Sequence, residues 1–187
     1  SACNLATTVL STQAPTHTAQ LYDDAPATPV DLSGAGCVTR TFTVADDFLA
    51  ADVDLGFNAE HPTREELVVD LFSPVGTQAR VIASGGATYA FANYDVWLDD
   101  AASGRLHAAV DDDPTAPYYD RNARPYAPLS VLNGEPVSGT WTLRMCDLAP
   151  GVNDGTYHRA RLSLTPQSKA ISSAGAWSYS LPTPEDH

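Results

Sequence analysis

Lysine is almost missing from this sequence. Lys169 stands alone in 187 residues, and ten Lys and Arg against 23 Asp and Glu leave a formal net charge of −13. That average field repels a phosphate backbone, so nucleic acid is set aside as a partner. Cysteine is scarce as well. Cys3, Cys37 and Cys146 lie far apart, with no CxxC and no Cys/His metal spacing, which argues against zinc and thioredoxin-like chemistry. No run of about 20 apolar residues occurs, so no membrane-spanning helix and no membrane partner are expected. No charged and then apolar leader precedes Ser1, so any secretory signal is expected to have been removed. At this length a single buried core is expected.

Sustained helical periodicity is lacking too, and alternation takes its place. "CVTRTFTV" sets Val38, Phe42 and Val44 at even positions with polar residues between them, the period of a half-buried strand. "ADVDLGFNA" repeats it with Val53, Leu55 and Phe57. "ELVVDLFSP" is more continuously apolar until Pro74, and "VGTQARVIASGG" resumes after a Gly-Thr turn, as a hairpin does. "GTWTLRMCDLA" and "GTYHRARLSLTP" predict a final strand pair joined through "PGVNDG". Between them, "VDDDPTAPYYDRNARPYAP" carries four prolines that forbid regular helix and predict an ordered or lid-like loop.

Many short strands with turn signals between them indicate an all-β sandwich or barrel. Residues 1–36 read as an extended, Ala-, Thr- and Pro-rich lead-in with room for one added strand at "ACNLATTVL". Residues 37–166 form the domain, and 167–187 a tail in which Trp177 and Tyr179 are candidates to dock.

Catalytic signals are missing. There is no GxSxG elbow, and the serines of "SGG" and "SGT" sit in turn sequences without a nearby His. Carboxylates are plentiful, but no spacing along a chain fixes a separation in space. The run Asp111 to Asp113 reads as a solvated loop, and alternation places Asp70 on an exposed face opposite Val69 and Leu71.

The succession "HPTREELVVDLFSPVGT", "YDVWLDDA", "LSVLNGEPVSGTWTLRMCD" and "GTYHRARLSL" resembles the P domain, or Homo B domain, of proprotein convertases, over about Cys37 to Pro166. His61 matches the family's His before an acid-Leu pair, with Glu66 where Asp is usual. Ser73, Pro74, Gly76 and Thr77 match the strand-ending turn, Asp99 and Asp100 the acidic segment, and Glu135, Gly139, Trp141 and Asp147 the Gly-Glu and Gly-x-Trp strand. The stretch from Arg105 to Arg124 is longer and richer in proline than the family pattern.

The resemblance implies a jelly-roll β-sandwich (galactose-binding-like) of about eight strands, not itself catalytic. It implies a module that stabilises or assists a subtilisin-like or other secreted protease, in cis or in trans. It also implies a secreted or periplasmic location and a monomeric domain. Trp141 and Leu143 would point into the core and His61 would be structural. Acids at strand ends, Glu66, Asp99, Asp100, Asp147 and, more weakly, Glu135, are the candidate ligands of a stabilising Ca²⁺. A jelly roll that brings its first and last strands together favours a Cys37–Cys146 disulfide, with Cys3–Cys37 as the alternative. The rival reading is a stand-alone adhesion or carbohydrate-binding module, because Tyr89, Tyr94, Trp97, Tyr118, Tyr119 and Tyr126 crowd the middle of the chain.

Overall fold

The computed structural model describes residues 18–34, 36–85 and 91–168. The expectations for "ACNLATTVL", Cys3, Tyr89, Trp177 and Tyr179 lie outside these residues. Within them the chain forms ten strands and two single-turn 3-10 helices. The strands are β1 (Gln20–Asp24), β2 (Val30–Asp31), β3 (Cys37–Val44), β4 (Ala50–Glu60), β5 (Leu67–Phe72), β6 (Gln78–Ile82), β7 (Tyr94–Leu98), β8 (Arg121–Ala123), β9 (Gly139–Asp147) and β10 (Thr156–Pro166). One sheet has the order β1-β10-β4-β7-β8, with β2 also on β10, and the other has the order β3-β9-β5-β6. The result is the expected all-β sandwich.

Strand alternation decides which side chains meet between the sheets. Along β9, Trp141, Leu143 and Met145 are fully buried while Thr142 and Arg144 between them are not. Across the gap, Val53, Leu55 and Phe57 of β4 and Leu162 and Leu164 of β10 supply the opposing layer. Each such apolar side chain contributes about 1.5–3 kcal/mol when removed from water. The indole of Trp141 also needs a polar partner once buried, and its Nε1–H donates to the Val137 carbonyl at 2.9 Å.

Two readings of the strands change in three dimensions. β9 and β10 are not a hairpin: β9 lies between β3 and β5, β10 between β1 and β4, and residues 148–155 cross from one sheet to the other. Turn residues mark where a chain reverses, not which sheet it joins next. The short β8 runs parallel to β7 in the Arg121–Ala123 stretch of the proline-rich segment, which is an ordered strap against the sandwich.

Cys37 and Cys146 stand opposite each other in the β3–β9 ladder, with a Cα separation of 4.2 Å, and are joined as a disulfide. The link spans 109 residues of sequence, so it restricts the unfolded chain strongly, by an amount on the order of 4–5 kcal/mol in the chain-entropy description.

Candidate functional site

The end of the sandwich nearest the disulfide gathers two of the candidate acids, Glu66 and Asp147, with His61. β4 ends at Glu60, and His61 follows directly; β5 begins just after the 3-10 turn Arg64–Glu66; β9 ends at Asp147. Pairing of Leu67 with Asp147 therefore brings Glu66 and Asp147 to one rim, under the crossing segment 148–155. Gly155 makes this approach possible, because a Cβ there would lie 2.4 Å from Cδ2 of His61.

His61 is wholly buried, and both ring nitrogens are engaged. Nδ1 accepts the Thr63 backbone N–H at 3.1 Å, so the proton sits on Nε2 and is donated to Asp147 Oδ2 at 3.2 Å. The other oxygen of Asp147 accepts the Ala149 N–H at 2.9 Å. Glu66 receives the amide of Asn153, at 3.3 Å to each oxygen, and the Glu66 carbonyl takes the Leu148 N–H. One ligand atom from each of His61, Glu66 and Asp147 lies within 4.8 Å of the others. The imidazole, with no spare lone pair in this tautomer, is a positioning partner of Asp147. What remains is a pair of hard oxygen donors with no guanidinium or ammonium bonded to either among the described residues, a set that suits Ca²⁺ and not zinc.

The other three candidates lie toward the opposite end. β7 runs antiparallel to β4, so Asp99 and Asp100 follow Leu98 away from the His61 rim. Asp99 accepts the Ala101 N–H at 2.7 Å. Asp100 accepts the N–H groups of Leu129 and Ser130 at 2.9 and 2.8 Å, capping the 3-10 turn Leu129–Leu132. Glu135 accepts the Thr77 hydroxyl at 2.5 Å. The five acids are thus not one cluster, and these three hold turns. Asp54 on β4 also belongs to this acidic region. Its carboxyl is pushed up to about 7, first by burial and then by the charges of Asp52, Asp99 and Asp100.

Two acids read as solvated are buried. Asp70 does face outward from its sheet, but Arg80 of β6 and Arg144 of β9 close over it, at 2.8 Å each, and leave it without exposure. Burial alone would raise its pKa, yet the two guanidinium groups hold it below the usual carboxylate range. In the run Asp111 to Asp113, Asp112 turns inward to Arg64 at 3.1 Å and Arg121 at 2.6 Å. Alternation and charge runs name a face, and a side chain from another strand can still cover it.

Arg64 is the residue that sequence reasoning passed over. Fully buried, it bonds Asp112, the Asn93 carbonyl and the Ala108 carbonyl, and its guanidinium lies 5.3 Å from the Tyr94 ring centroid. Together with Arg121 it ties the proline-rich strap to the sandwich. One signal was available: an arginine directly before "EEL" in a chain poor in cations. Its partner 48 residues away was not legible.

The crowded aromatics do not form an exposed platform among the described residues. Tyr94 is in the core, Trp97 and Tyr119 meet half-buried with centroids 6.1 Å apart and rings inclined at 58°, and Tyr118 lies against Arg159. Tyr126 is the widely exposed one, at 64%.

The molecule is thus a two-sheet sandwich whose buried polar groups pin loops and straps. Residues 50–164 match the proprotein convertase P-domain, well over half of the chain, and the chain belongs to that family of non-catalytic accessory domains. Among solved structures it is similar to the serine protease of Aeromonas sobria, at 14% identity and a TM-score of 0.50, over 79% of this chain and 26% of that one. A crystal structure of the Aeromonas sobria serine protease and chaperone complex gives 13% identity, a TM-score of 0.49 and the same coverage. This chain therefore spans about a quarter of the length of those proteins. No curated protein matches it.

Proposed function

We propose that this P domain is a secreted or periplasmic accessory module that stabilises an attached or associated protease, and that Ca²⁺ held by Glu66 and Asp147 stabilises the module in turn. The family match over residues 50–164 carries the first part. The second rests on two neighbouring carboxylates, one of them buried, that lack a cationic partner among the described residues. Burying like charges side by side is costly unless a cation joins them. Bound there, Ca²⁺ would supply charge neutralisation and would tie together β5, β9 and the crossing segment that Asn153 already fastens to Glu66.

Calcium added to the chelator-treated protein is expected to raise the melting temperature with concentration, following the linkage RT ln(1 + [L]/Kd). Glu66→Gln should abolish that rise while Asp99→Asn keeps it. A melting temperature indifferent to Ca²⁺ sinks the metal reading and leaves the accessory role standing. That role is tested in the full-length parent, where deletion of residues 18–168 should lower the stability of the remaining protease. An unaltered protease would end it.

A further inference from the structure

A groove on the far side of the proline-rich strap has a different character from the acid-rich surface around it. Nine of the ten cationic residues of the chain are arginines. Six pair with aspartates at 3.1 Å or less, and Arg159 lies 3.7 Å over the Tyr118 ring. Arg105 and Arg124 are the two left with neither an ion pair nor a ring contact among the described residues, in a protein with more than twice as many acids as cations. They are also adjacent, being opposite partners in an isolated parallel bridge.

Their juxtaposition is built into the backbone. Arg124 N–H donates to the Gly104 carbonyl at 3.0 Å, and a Cβ on residue 104 would fall 2.5 Å from the Asn122 carbonyl oxygen, so only glycine lets the two segments come this close. Beyond them the strap is fastened by Tyr126 N–H and Ala127 N–H to the carbonyls of Val81 and Arg80. The two guanidinium groups, His107, the exposed Tyr126 and Pro125 line an open cavity of about 780 Å³. Asp100 lines it as well, with both its oxygens taken up by the Leu129 and Ser130 N–H groups.

We propose that the Arg105–Arg124 groove binds an acidic, extended peptide segment, whose carboxylates sit on the two guanidinium groups. Paired guanidinium forks match carboxylate geometry, and two like charges held side by side gain most from an anion between them. A proline- and tyrosine-lined wall suits an extended chain. The net charge of −13 disfavours a polyanion such as nucleic acid, whose many phosphates would meet the repulsive average field, and favours a ligand with one or two carboxylates. This site depends on neither the calcium site nor the identity of the attached protease.

The test uses the whole chain, ¹⁵N-labelled, titrated to about 1 mM with a capped pentapeptide bearing two adjacent glutamates. Parallel arms use the same peptide with glutamines and inorganic phosphate. Saturable shifts at the side-chain Nε–H of Arg105 and Arg124 and at the Tyr126 amide are expected, weakening with salt. The affinity should fall at least tenfold for R105A/R124A and for the glutamine peptide, while the melting temperature of the variant stays put because both residues are exposed. No saturable shift, equal binding of the glutamine peptide, or binding of phosphate without the glutamate peptide would each overturn the proposal. The glutamine arm decides the matter without any variant.

Discussion

Acids at the two ends of this sandwich are used in opposite ways. At the end holding Asp99, Asp100 and Glu135, each half-buried carboxylate accepts from neutral N–H or O–H donors: Asp99 from its own turn, Asp100 from the Leu129 turn 29 residues on, and Glu135 from the Thr77 hydroxyl 58 residues away. At the His61 end the acids Asp147 and Asp112 are buried, and each faces an ionisable side chain: Asp147 with His61, 86 residues away, and Asp112 with Arg64. The covalent link lies there too, since Cys146 immediately precedes Asp147. A half-buried carboxylate holding neutral donors loses little when one is removed, whereas a buried carboxylate deprived of its cationic partner is left as an uncompensated charge. Of the two ends, the His61 rim therefore carries the more deeply buried polar fastening.

The sharpest way to break that contrast is to remove a buried cation at the fastened end and compare it with an exposed one elsewhere. Arg64→Ala leaves Asp112 buried with one partner instead of two and frees the Asn93 and Ala108 carbonyls, so a loss of about 3–5 kcal/mol is expected in chemical denaturation. Arg80→Ala also removes an aspartate partner, but Arg80 is 45% exposed and Arg144 still covers Asp70, so less than about 1 kcal/mol should be lost. Equal losses would mean that burial of the cation does not set the cost of losing it.

A middle-sized effect is expected at the capping end. Asp100→Ala deprives the Leu129 and Ser130 N–H groups of their acceptor and should cost about 1 kcal/mol, seen as a lower midpoint with an unchanged denaturant slope. A cost as large as that of Arg64→Ala would show that a half-buried carboxylate on neutral donors fastens the fold as strongly as a buried ion pair.

How far these roles were legible depends on whether they are local. Trp141, Leu143, Phe42 and Val44 announce the core because strand alternation repeats every two residues and burial follows it. The P-domain motif placed Glu66 and Asp147 on strand ends, and the Cys37–Cys146 pairing follows from strands that meet in that fold. The burial of Asp70 and Asp112 depends on arginines arriving from other segments, and the sheet change between β9 and β10 depends on which neighbours each strand finds. None of these is encoded within a window of sequence. That Arg105 and Arg124 have no ion pair among the described residues was equally hidden, because pairing depends on the whole surface.

The smallest expected effect sharpens the comparison through pH. Asp54 has a carboxyl pKa of about 7 in the folded protein against about 4 in an unfolded chain, because it is partly buried and faces Asp52, Asp99 and Asp100. Between those values the native state holds a proton that the unfolded state has released, so this group makes stability rise as pH falls from about 7 toward 4. Asp70 and Asp24, whose pKa values are lowered, act the other way, and their stabilisation is lost only as pH falls through and below the ordinary carboxylate range. Asp54→Asn should therefore flatten the wild-type gain between pH 7 and pH 5 and make the protein more stable than wild type at pH 8, as read from melting temperatures across that range. A variant that parallels the wild type throughout would show that the acids at this end do not share a common field, and the contrast between the two ends would then rest on the His61 rim alone.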